Sequence, residues 1–127
     1  MTQESDVVFS YSRAQAIADG VLRDVTVVAQ EAGFRYPVAL TAAAWADSVA
    51  WRAGDGSGQS EAGRLWDVLH MARLAVKRAA GRVVQLTVLV VPQRGASSTP
   101  QPMRLKMVVG PGDALEPVIT IMLPGED

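Results

Sequence analysis

His70 is the only histidine in the chain, and Asp67 precedes it by three residues. On a helix that spacing puts both side chains on one side. Such a pair could begin a metal site, or serve as a base with its orienting acid. A metal site needs a third and usually a fourth ligand. There is no cysteine and no second histidine, and no distant carboxylate is singled out by the sequence. A Ser-His-acid hydrolase would need its serine at the centre of a Gly-x-Ser-x-Gly turn. In "GDGSG", residues 54–58, the serine is the fourth residue instead. The same glycine-rich stretch lacks the Gly-Lys-Ser/Thr that meets phosphates in a Walker loop. It also lacks the spaced acids of a calcium loop. The residue types therefore assign no catalytic, cofactor-binding or metal-ligating role, and no cofactor is expected. A small enzyme using a carboxylate pair stays as an alternative, because paired acids need only meet in space.

The element that must carry His70 is "SEAGRLWDVLHMARLAVKRAAG", residues 60–81. Ser60 is its expected N-cap, the helix is expected from Glu61 to about Ala80, and Gly81 stops it. At 100° per residue, Leu65, Val68, Leu69, Ala72, Ala75, Val76, Ala79 and Ala80 share an arc of roughly 140°. That arc faces a core. Trp66, His70, Arg73 and Lys77 fall within about 60° of one another beside it. They make one stripe of an aromatic, an imidazole and two cations, with Met71 and Leu74 on its far side. The structural account of the stripe is a tryptophan at the core rim and cations complementing the helix C-terminus. The functional account is a partner-binding surface, with Trp66 supplying contact area and the cations steering.

Further elements frame that helix. "YSRAQAIADG" is a short helix capped by Ser12, with Gln15 completing a capping box and Gly20 at its end. "VLRDV" is strand-like. "DVTVVAQEAGF" is a second helix, capped by Asp24 or Thr26 and ended by Gly33. "FRYPVAL" alternates with a period of two, and Pro37 points to an edge strand or a loop. "TAAAWADSVAWRAG" is a third helix with Thr41 as N-cap and an apolar face from Ala42 to Ala53. Trp51 lies opposite that face, so it is either exposed for a partner or past the helix end and folded back. Residues 54–60 read as a flexible loop. "RVVQLTVLVV" is long enough for a buried strand. "PMRLKMVVG" and "EPVITIML" alternate apolar and polar positions. Helices first and three consecutive strands last indicate a single α+β domain over 1–127. Short N-terminal helices and the long helix pack on one face of a C-terminal three-stranded antiparallel meander.

The 127 residues suffice for one core without disulfides or metals. No apolar run approaches the ~20 residues of a membrane span. The start "MTQESDVVFSYS" lacks a signal-peptide pattern, so the expected location is cytoplasmic, with no membrane partner. Net charge is −1, but the charges segregate. Residues 1–63 carry 8 acids and 4 bases, residues 64–109 carry 8 bases and one acid, and residues 110–127 carry 4 acids and no base. Either the acidic ends fold over the basic middle, or the middle presents a basic face to an anionic partner. Nucleic acid is the weaker choice, since the pI near 5.8 is far below that of a dedicated binder.

Several pieces resemble a known family: Ala18-Asp19-Gly20-Val21-Leu22, Glu31-Ala32-Gly33-Phe34, Tyr36-Pro37-Val38-Ala39-Leu40-Thr41, Arg64-Leu65-Trp66-Asp67, Gly110-Pro111-Gly112-Asp113 and Met122-Leu123-Pro124. Together they are similar to an uncharacterised family of small bacterial proteins, a domain of unknown function often met on plasmids, phages and other mobile elements. The resemblance carries no catalytic residues. It implies a setting in which small proteins bind a host protein, as inhibitors of a CRISPR defence complex do. The expected function is thus a non-enzymatic protein-binding module with an acidic protein partner. Its contact residues are Trp66, His70, Arg73 and Lys77, with Trp51 in reserve. A homodimer through the sheet edge or Trp51 is the other expected assembly.

Overall fold

Three of the four described helices begin where a hydroxyl can take up a free backbone N–H. The computed structural model describes residues 11–52, 58–78, 81–92 and 99–127. The elements in order are α1 (Arg13–Ala18), β1 (Leu22–Asp24), α2 (Thr26–Glu31), β2 (Val38–Thr41), α3 (Ala42–Ser48), α4 (Glu61–Val76), β3 (Val83–Val90), β4 (Gln101–Pro111) and β5 (Pro117–Met122). Ser12 accepts from the Gln15 amide at 2.9 Å, Thr41 from Ala44 at 3.1 Å and Ser60 from Gly63 at 3.1 Å. The Gln15 side chain donates forward to Asp19 rather than back toward the cap. At α2 the acceptor is Asp24, which takes both the amide and the hydroxyl of Thr26, while Val25 occupies the cap position.

Two helices end earlier than their apolar periodicity implies. α3 stops at Ser48, whose hydroxyl donates back to the Ala44 carbonyl, and the amides of Val49 and Ala50 both converge on the Trp45 carbonyl. α4 ends at Val76, where Arg78 bonds to the Ala75 carbonyl in a tighter last turn. The expected continuation to Ala80 is not helical at residues 77–78, and residues 79–80 lie outside those described. Most of the expected 54–60 loop also lies outside them.

The fold is α+β. Its sheet has five strands in the order β1-β2-β5-β4-β3. β3, β4 and β5 form the antiparallel meander that their alternation implies. β1 and β2 add an antiparallel pair, and β2 runs parallel to β5 with Val38 beside Ile119 and Leu40 beside Ile121. β2 is therefore interior, not the edge strand or loop that Pro37 indicated. Pro37 stands just outside the ladder, and its carbonyl accepts the Ile119 amide at 2.8 Å. Val38, Ala39 and Leu40 are all buried, as suits a strand covered on both faces. β1 and β3 are the edges among the described residues; in β3, Val84, Leu86, Val88 and Val90 are buried and the alternate residues exposed.

The main core joins β2–β5 to α2, α3 and α4, through Phe34, Leu40, Val49, Leu69, Leu105, Met107 and Ile121. Each such large side chain contributes about 1.5–3 kcal/mol by leaving water. The helices do not all share that face. α1 lies across the opposite side, where Ala16 sits with Thr120 and Met122. It is fastened there by Arg13, which donates to the Thr120 hydroxyl and the Ile119 carbonyl, both at 2.8 Å. Asp113, beyond β4, accepts the Arg13 and Ala14 amides at 2.7 and 3.0 Å. Among the described residues no helix is long and apolar enough to cross a membrane.

Candidate functional site

α4 lies over the edge strand and turns Leu65, Val68, Leu69 and Ala72 into the core. Its outer surface carries the stripe read from the sequence. Trp66, His70 and Lys77 are exposed there, and Trp66 keeps 41 % of its surface open. The helix thus holds an indole and an imidazole one turn apart, and its C-cap adds an ammonium on the same side. Leu74, 42 % exposed, and Met71 continue the apolar surface toward β3. They line a groove of about 400 Å³ with Ala75, Arg78 and Leu86.

Arg73 belongs to the stripe by angle but not by freedom. Its Nε donates to the Gly33 carbonyl at 3.1 Å. Gly33 has φ of +103°, and a Cβ there would stand 3.1 Å from the same Nε. The positive φ favours glycine at this corner, and a Cβ would crowd the arginine that passes against it. Arg73 ties α4 to the α2–β2 corner.

Trp51 takes the second of its two readings. With α3 ended at Ser48, it folds back and its ring stacks 4.6 Å from the Arg64 guanidinium. Its own amide donates to Glu61 at 3.1 Å. It is half-buried, away from the stripe, and its buried indole N–H finds no hydrogen-bond partner among the described residues.

Arg64 is the residue that the sequence reading passed over. It is only 5 % exposed. Its Nε donates to the Val49 carbonyl at 3.0 Å, and Nη1 to the Val91 carbonyl at 2.8 Å and to Gln59 at 3.3 Å. Burial pushes the guanidinium below its ordinary value, and Asp67 and Glu61 oppose that. Arg64 pins the end of α3, the start of α4 and the end of β3 together, beside a cavity of about 250 Å³. The signal was present: in projection it falls roughly 20° from Ala75, at the border of the core arc.

Among the described residues, no three His, Asp or Glu side chains gather closely enough to hold a metal ion. Asp24, Asp113, Glu116 and Glu126 each accept a backbone amide, so their carboxylates serve as caps and clamps. What the described stripe offers chemically is contact area and charge.

A family model described as "Family of unknown function (DUF6573)" matches residues 1–127. No curated protein and no solved structure matches the chain.

Proposed function

Since the chain belongs to DUF6573, a family of unknown function, its role must be read from its own side chains, and we propose that it is a non-enzymatic protein-binding module. The carrying observation is Trp66, exposed on a helix capped by Ser60, with His70 one turn on and Lys77 at the C-cap. Tryptophan is enriched at the energetic centres of interfaces, and a partner with an acidic rim would complement the neighbouring cation. Arg73 supports the surface from below by fixing the helix. A setting on mobile elements, and a role as accessory factor or inhibitor of a host defence complex such as CRISPR, belong to the same proposal. They rest on the resemblance of the residues, not on geometry.

The test substitutes the free members of the stripe and leaves the tether alone. A photo-crosslinking residue placed at position 70 identifies the bound protein by mass spectrometry, and affinity is then measured with that purified partner. Trp66→Ala should weaken binding by about 2 kcal/mol, roughly thirty-fold, with little change in Tm. Lys77→Glu should weaken it further and flatten its salt dependence. Full affinity in the double variant would remove the stripe as the site.

A further inference from the structure

β3 leaves one edge of the sheet open, and the side chains beside that edge are complementary to themselves. Arg82, just before the strand, accepts the Val109 amide, while the Val91 carbonyl turns the other way to Arg64. By the alternation of an antiparallel ladder, the amides and carbonyls of Val83, Gln85, Thr87 and Leu89 point outward. Among the described residues no strand pairs with them. The strand "VVQLTVLV" carries no charge, proline or glycine, the devices that normally blunt an edge.

We propose that a second copy of this chain adds to β3 in antiparallel fashion, giving a continuous ten-stranded sheet across a two-fold axis at Leu86. Pairing about Leu86 sets exposed Val83 of one copy against exposed Leu89 of the other, and Gln85 against Thr87. Apolar meets apolar and polar meets polar. All four are odd-numbered, so the outward backbone groups meet and both helical faces stay on the same side of the sheet.

The helix above repeats this symmetry. α4 runs antiparallel to β3, since Arg64 at its start reaches Val91 while Arg78 past its end lines the groove with Val84. That groove, with Met71, Leu74 and Leu86 on its walls, brings the middle of the helix beside the middle of the strand. A two-fold axis midway between Met71 and Leu74 opposes each to the other's counterpart. The same axis opposes Asp67 to Arg78, because both pairs are centred on one point of the helix. Asp67 and Arg78 are exposed. Packing two copies therefore buries the exposed Met71 and Leu74 and forms two opposite-charge contacts. An isologous interface has this reciprocity, with residue i meeting j and j meeting i.

Sedimentation equilibrium of the whole chain tests this. The wild type should behave as a dimer whose dissociation depends on concentration. Asp67→Arg or Arg78→Asp alone turns two attractions into two repulsions and should weaken the dimer about tenfold. Asp67→Arg with Arg78→Asp restores opposite signs across the axis and should recover wild-type association. A chain that is monomeric at every concentration overturns the proposal. So does a dimer indifferent to the single reversals, or a double variant no better than the weaker single one. Circular dichroism at each step checks that the exposed substitutions leave the fold intact.

Discussion

At the scale of single residues, Arg64 departs furthest from what its type would lead one to expect. Arginine is seldom buried, yet here the guanidinium satisfies two main-chain carbonyls at the ends of α3 and β3. Arg64→Ala strips both carbonyls of their donor and leaves Trp51 unsupported. It should cost about 2–4 kcal/mol in urea unfolding, more than any substitution in the exposed stripe. The sequence made Trp66, His70 and Lys77 legible because helical periodicity alone decides which way they face. It did not make Arg73 or Trp51 legible. Arg73 answers to a carbonyl 40 residues away. Trp51 depends on where α3 stops, which is set by the backbone closing on Trp45 and not by any run of apolar residues.

Elements were legible in proportion to how local their causes are. Ser12, Thr41 and Ser60 act as caps because each needs only an amide three residues on. The alternation of β3 and β4 follows from a face of sheet against helices. The union of β1 and β2 with β5 has no local cause, so the sequence displayed a three-stranded meander where the molecule has a five-stranded mixed sheet. The seat of α1 is likewise remote. Its first amides are held by Asp113, whose carboxyl lies below the ordinary 3.8 chiefly through the Ala14 and Arg13 amides, with the Arg13 charge adding to them. A carboxylate depressed on folding contributes stability above its unfolded pKa, and that contribution is lost as pH falls through the folded value. Thermal unfolding should therefore show a midpoint that drops on acidification below 3.8. Asp113→Asn should lie lower at neutral pH and show a shallower acid limb.

Across the whole molecule, described carboxylates near the C-terminus are engaged by backbone amides. Asp113, Glu116 and Glu126 spend their oxygens on nearby or clamped backbone amides, and Glu126 also accepts the Thr41 hydroxyl. Lys77, Arg78, Arg82 and Arg104 stay exposed. Among the described residues these four cations therefore keep their charge at the surface. Another whole-molecule feature is the place of β5. It sits between β2 and β4, so the last strand in the chain is the seam joining the two halves of the sheet. The β3–β4 and β4–β5 hairpins can form from neighbours in sequence, but the β1–β2 pair joins the rest of the sheet only when β5 is in place beside β2. Order in time is thereby written into position in space. Pulse-labelled hydrogen exchange during refolding should protect the β3–β4–β5 meander first. The β2–β5 pairing should follow in a later and slower step, because the loop that must close between β2 and β5 is the long one.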